Sequence, residues 1–270
     1  MDASLLISIA LGGVVGFLLS LTGAGGAILS VPLLGFGLHL TVAQAGPIGL
    51  LAVCLASAIG AFLALRARIL RYRAASFMAL FGLLLSPPGI WLAQRIPNKP
   101  LSIGFAVILL LVGIRLLIAA HHELRGTLRK DARPPPCQLN QSIGRLIWTV
   151  PCARALAAAG ATAGFFSGLL GVGGGFIIVP SLKRFTDFPV QSIVATSLGV
   201  LTIVSFGNVV IATATGNMIW PIAIPFASGA LSGMLIGRQI SNRITGPRLQ
   251  QFFAIFTLSI AVMMLAKALL

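Results

Sequence analysis

The sequence predicts an all-α polytopic membrane protein with about eight membrane-spanning helices. Broken or re-entrant Gly-rich hairpins accompany those spans, and the whole is laid out as two inverted repeats. Three observations carry this expectation. The chain is 57% hydrophobic and 9% charged. Its apolar runs are of membrane-crossing length and are parted by basic breaks. Its two halves repeat one another at a fixed offset.

Composition comes first. A soluble domain carries roughly 25% charged residues, because its outer surface must face water. A chain with mean hydropathy +1.03 cannot clothe itself that way, whereas in a bilayer the exterior is allowed to be apolar. The net charge of +15 does not point to nucleic acid, because the basic residues sit in breaks between apolar runs, where membrane topology puts them. Three cysteines, Cys54, Cys137 and Cys152, do not make a disulfide framework. Cys54 lies inside an apolar run. The other two fall in a central basic linker expected in the cytosol, where thiols stay reduced, so all three are read as packing or loop thiols. The N-terminus lacks the positive region of a cleaved signal peptide, so the first run is expected to belong to the fold.

The apolar runs lie at 5–21, 27–38, 42–65, 74–94, 101–120, 155–170, 176–182, 189–214, 219–237 and 249–270. Residues 121–154 interrupt them with His121, His122, Glu123, Arg125, Arg129, Lys130, Asp131 and Arg133, then Pro134-Pro135-Pro136. That stretch reads as a solvated linker with a semi-rigid proline segment. The expected organisation is a first repeat over 1–120, a basic cytoplasmic linker over 121–154 and a second repeat over 155–270.

The duplication is read from Gly16 to Pro32 against Gly164 to Pro180, a shift of 148 residues. Gly16, Phe17, Leu21, Gly23, Gly25, Gly26, Val31 and Pro32 all meet identical residues. The same shift pairs Leu101 with Leu249, Phe105 with Phe253 and Ala106 with Ala254. Leu and Ala coincide readily in apolar sequence; three glycines and a proline at fixed spacing do not.

Lys and Arg collect in cytoplasmic loops. Arg66, Arg68, Arg71 and Arg73 therefore place loop 66–73 inside, together with the linker, and run 42–65 starts outside. Lys183 and Arg184 make run 189–214 start inside, while Arg238, Arg243 and Arg248 mark another inner break. Equivalent runs 42–65 and 189–214 then point in opposite directions, which is an inverted repeat. Segments 5–38 and 155–182 each return to the side they start from, as hairpins with Gly-rich tips, and both chain termini fall outside. Run 176–182 is too short to span, so its hairpin turns within the membrane. Arg95, Lys99 and Lys267 lie on the wrong side of this scheme.

The chemistry-bearing features are Thr22-Gly23-Ala24-Gly25-Gly26 and Leu170-Gly171-Val172-Gly173-Gly174-Gly175. Glycines let the backbone leave the helix and free N–H groups, and the short helix that follows offers its positive end to an anion. Irregular backbone at membrane depth is tolerated only beside protein or a water-filled cavity. Paired interruptions in inverted halves point to a substrate site. Close helix packing by small residues is the competing explanation. Neither loop follows a strand, so a dinucleotide fingerprint is not met.

A duplicated Gly-x-Gly-Gly-(x)5-Pro stretch, with Ala195-Thr196-Ser197-Leu198 in a following apolar helix, resembles the TauE/SafE sulfite exporter family of membrane permeases. The resemblance covers nearly the whole chain outside the linker. It implies transport of small sulfur-containing anions such as sulfite, thiosulfate and related organic acids. The first half departs from the pattern, because Pro47-Ile48-Gly49 stands where Ala195-Thr196-Ser197 stands in the second. The two half-sites are therefore expected to be chemically unequal. The candidate substrate-binding residues are Thr22, Gly23, Gly25, Gly26 and Gln44 in the first half. In the second they are Gly171, Gly173, Gly174, Gly175, Ser192, Thr196 and Ser197. Thr196 and Ser197 either bond an oxyanion or bond their own helix. Ser205 and Asn208 are read as helix-contact polar groups, His39 as an interfacial residue, and Arg115 as snorkelling to the interface.

No Asp or Glu lies deep in a run, so a carboxylate proton relay is not expected. No catalytic set or metal cluster appears, and neither enzyme activity nor a cofactor is expected. The expected partners are a small anionic substrate, the lipid bilayer of the cell membrane and a second copy in a homo-oligomer, with no nucleic acid. The alternatives are a non-transporting membrane anchor or assembly subunit, and a carrier of a small carboxylate.

Overall fold

A computed structural model describes residues 3–22, 26–124, 135–140, 145–146, 148–241 and 247–269. The helices are α1 (Ala3–Thr22), α2 (Ser30–Gly37), α3 (Val42–Arg66), α4 (Tyr72–Arg95), α5 (Asn98–Leu124), α6 (Val150–Leu170), α7 (Gly175–Phe185), α8 (Val190–Ala214), α9 (Trp220–Ser241) and α10 (Pro247–Leu269). A single 3-10 turn, Gly26–Leu29, leads into α2. Seven of these helices contain stretches long and apolar enough to cross a membrane, and two shorter apolar helices cover Leu5–Leu21 and Gly26–Gly37. Large apolar side chains such as Leu84, Trp91, Phe206 and Phe252 face outward. That exterior fits hydrocarbon, not water, and the chain is a polytopic membrane protein.

Packing pairs helices across the middle of the sequence. α1 packs most heavily on α9, and α6 on α4. Both pairs run parallel: Gly12 abuts Phe226 while Gly237 abuts Phe17, and Gly160 abuts Met78 while Gly168 abuts Ser86. A Cβ on Gly164 would strike the Gly82 backbone. These helices therefore approach at backbone distance, which small residues alone permit.

α3 crosses α8 antiparallel, with Gly60 beside Leu198 and Ser57 bonded to Thr202. α5 and α10 are antiparallel as well, with Gly113 on Leu258 and Lys99 in one cleft with Lys267. These directions define two ends of the bundle. The basic end carries Arg66, Arg68, Arg71, Arg73, Lys183 and Arg184. The opposite end carries Leu40, Asn98, Lys99, Asn217 and Lys267.

The linker corrects one expectation. Cys137 and Cys152 are disulfide-bonded, not separate loop thiols. The chain at Cys137 runs beside the end of α7: its N–H donates to the Phe185 carbonyl (3.0 Å), and its carbonyl accepts from Asp187 N–H (3.3 Å). This seats its sulfur against Cys152 in the first turn of α6, and both cysteines are fully buried. Between them in the chain, Leu139–Asn140 pairs antiparallel with Arg145–Leu146.

Candidate functional site

The second Gly-rich segment breaks a helix in two. α6 ends at Gly171, which takes a left-handed conformation (φ 70°). Gly173 (φ 71°) and Gly174 (φ 74°) follow in the same region, where a side chain is strained. Gly174 is the N-cap of α7 and supplies no side-chain cap. The N–H groups of Gly175 and Phe176 donate to no carbonyl among the described residues. With 11 residues, α7 is about 16 Å long, half the ~30 Å hydrocarbon thickness. It returns to the basic end without crossing, so its N-terminus lies deep in the bundle, with Gly174 against Ala163 of α6.

The neighbours of this turn come from both halves of the chain. A Cβ on Gly173 would stand 2.8 Å from Leu201, 3.2 Å from Val53 and 3.3 Å from Ser205 Oγ. Ser205 is fully buried, and its hydroxyl has no hydrogen-bond partner among the described residues. Gly171 faces Gly46 of α3. Next to them, Ser30 Oγ faces Gly49 and donates to the Ala27 carbonyl (2.7 Å). One turn beyond Ser205, Asn208 accepts from Ser86 and donates to Ser167 (3.0 Å). This satisfied network ties α4, α6 and α8 together, a helix-contact role.

The remaining candidates scatter. Gly26 is buried against the backbone of Leu18 and Leu19. Gly23, Gly25 and the Thr22 side chain lie outside the described residues. Gln44 is exposed and closes a capping box with Thr41 at the start of α3, which engages its amide with the backbone. Ser192 is buried in the first turn of α8. Thr196 is buried and accepts the Arg71 N–H (3.2 Å) at the basic end. Ser197 donates to the Val194 carbonyl (2.7 Å) of its own helix. Gly171, Gly173, Gly174 and Gly175 thus form one cluster, while Gln44, Thr196 and Ser197 bond elsewhere.

Ser205, expected from the sequence only as a helix-contact group, stands beside this turn. A signal was present, because the 148-residue offset pairs Ser205 with Ser57 and Thr202 with Cys54. Three of these four are hydroxyls on equivalent faces of the two central helices. His39 stands between α2 and α3 with positive φ (54°), and Arg115 is on an exposed face of α5.

Comparison with known proteins bears on what this arrangement is for. The family profile described as Sulfite exporter TauE/SafE matches residues 8–264. A probable membrane transporter protein of Xylella fastidiosa is 30% identical, with 96% of this chain and 94% of the relative covered. The probable membrane transporter protein YunE of Bacillus subtilis is 25% identical, over 89% of this chain and 90% of the relative. A probable membrane transporter protein of Methanocaldococcus jannaschii is 27% identical, over 90% and 88%. No solved structure matches the chain.

Proposed function

This chain belongs to the sulfite exporter TauE/SafE family of membrane transporters, and on that premise we propose that it carries a small anion across the cell membrane. The anion is a sulfur-containing oxyanion or organosulfonate of the sulfite or thiosulfate type, bound between two inverted repeats. The observation that carries the proposal is the Ser205 hydroxyl, without a partner among the described residues, standing beside Gly173 in the turn that leads to the uncapped N-terminus of α7. Free N–H groups at a helix start present about half a positive charge. A buried hydroxyl without a partner costs about 1–3 kcal/mol, a cost that an oxyanion accepting from it would offset. The nearest atoms to Gly171, Gly173 and Gly174 belong to Gly46, Leu201, Val53, Ser205 and Ala163, none of them charged, so neutral donors meet the charge in this reading. That suits a compact oxyanion able to accept several short bonds at once.

Inversion is supported by direction. α3 and α8, equivalent by sequence, run antiparallel, as do α5 and α10. The exchanged packing also defines the moving bodies. Rocking of residues 1–120 against 155–270 would tear α1 from α9 and α6 from α4. The rigid units are therefore the α1/α9 and α4/α6 pairs with their hairpins, moving about the α3–α8 crossing.

The basic end faces the cytosol in this reading, although it holds the Cys137–Cys152 bond. Thiol–disulfide exchange needs access to a sulfur, and full burial of both cysteines withholds it from cytosolic reductants.

The test is transport by purified protein in lipid vesicles with labelled sulfite, thiosulfate and lactate. Movement of sulfite or thiosulfate, with lactate left behind, is the expected result. If lactate moves and the sulfur anions do not, the substrate class is wrong. If no anion moves, the proposal falls.

A further inference from the structure

Lys99 and Lys267, like Arg95, break the charge rule that the other loop charges follow, and the fold brings the two lysines together. A cleft of about 440 Å³ at the opposite end is lined by both, with Phe36, Val42, Asn98 and Ser102 among its other walls. It is framed by α2, α3, α5 and α10. Asn98 Oδ1 accepts the Val42 N–H (3.1 Å), which locks the start of α3 to α5. Lys267 Nζ stands 5.2 Å from the Phe36 ring centroid, so its ammonium is held over the α2 wall. The whole chain has four acidic residues, and neither lysine has a carboxylate partner among the described residues. A cleft with two cations that no described carboxylate faces carries a positive potential that draws in anions.

One face of α3 connects this cleft to the broken helix. Val42, Gly46, Gly49 and Val53 recur at helical spacing along a single stripe. Val42 lines the cleft. Gly46 and Gly49 face Gly171, and Gly49 also faces Ser30 Oγ. Val53 touches Gly173, beside Ser205. The stripe runs from the two lysines to the start of α7, and its two glycines are packed closely against Gly171 and Ser30.

We propose that the Lys99–Lys267 cleft is an anion-binding vestibule that gathers the transported oxyanion at this end and delivers it along the α3 stripe. This rests on the transport reading above and adds a second, electrostatic site to it. The lysines act by raising local anion concentration, not by holding the anion through transfer. Their removal therefore raises KM and leaves the maximal rate nearly unchanged.

The experiment is sulfite transport kinetics in vesicles, for wild type, K99Q/K267Q, K99R/K267R and S102E. Each is measured at low and high salt, in zwitterionic lipid and in lipid with an added anionic headgroup. At low salt the double Gln variant is expected to raise KM about three- to tenfold. The gap should narrow at high salt, where screening acts within about 10 Å or less. The double Arg variant keeps the wild-type KM. S102E, which adds a carboxylate to the same cleft, raises KM even if the Gln variant fails to insert. An unchanged KM in both the Gln and the Glu variants overturns the vestibule. A KM effect confined to anionic lipid also overturns it, because the lysines would then serve lipid headgroups. Wild type that moves no anion condemns the transport reading instead, which keeps the two failures apart.

Discussion

Cys54 and Thr202 lie 148 residues apart and touch, the Cys54 thiol donating to the Thr202 carbonyl at 3.8 Å. That separation is also the offset between the two halves, so each residue meets its own counterpart where α3 crosses α8. The match is imperfect in one consequential way. The Thr202 hydroxyl lies 3.1 Å from Ser57 Oγ, but a thiol replaces its counterpart. That thiol is turned to a carbonyl, and Ser205, the counterpart of Ser57, has no partner among the described residues.

Transport should therefore be unequally sensitive to the two serines. Ser205→Ala is expected to raise KM for sulfite roughly tenfold, the loss of a bond to a charged acceptor, with protein level and maximal rate nearly kept. Ser57→Ala should change KM less than about twofold, since its hydroxyl is occupied within the protein. Cys54→Thr offers Ser205 a hydroxyl partner and should raise KM in the same direction as Ser205→Ala. Vesicle kinetics on the three variants decide this, and equal effects at 57 and 205 would remove Ser205 from the site.

Gly173→Ala tests the turn itself. The new methyl group would press on Leu201, Val53 and Ser205 from a backbone with φ of 71°. A side chain there costs about 1–3 kcal/mol. Thermal unfolding in detergent should show the loss, and transport should fall by more than the drop in folded protein explains. A stable, fully active variant would mean that the turn has room to spare.

The Cys137–Cys152 bond closes a short loop that fastens the linker to the base of the α6–α7 hairpin. Replacing both by serine should lower stability by about 3 kcal/mol, the entropy of a loop of 15 residues. Detergent melting curves of wild type and the double variant check it. If the two curves coincide, the bond does not hold the hairpin base.

Sidedness can be read with single introduced cysteines. Ala67→Cys lies in the exposed basic loop after α3, and Asn217→Cys in the exposed turn before α9. With the basic end in the cytosol, a membrane-impermeant maleimide added to intact cells should label Asn217→Cys and spare Ala67→Cys. The reverse pattern inverts the protein in the membrane.

Much of this architecture was legible because its causes are local. Apolar length gives the spans, and glycine clusters mark where α6 yields to α7. Arg95 apart, the described arginines lie toward one end of the bundle. What escaped depends on contacts distant in sequence. Gln44 is a candidate at the position that matches Ser192 by the 148-residue offset, yet Thr41, three residues before it, turns it into a cap. Thr196 and Ser197 had open roles until Arg71 and Val194 were seen to take their bonds. The cysteine pair was hidden because its geometry depends on the linker running beside α7. Lys99 and Lys267 looked like exceptions to a rule, since nothing in their spacing announces that α5 and α10 run antiparallel and close one cleft.

The pairing of α1 with α9 bears on how the chain is made. Some two hundred residues separate these helices, and ribosomes add about 5–20 residues per second. α1 therefore waits roughly 10–40 seconds in the membrane for its partner, with its glycine face open to whatever the insertion machinery provides. A ribosome that stops after α5 releases a fragment in which α1 has no α9 and α4 no α6, a ready target for membrane quality control.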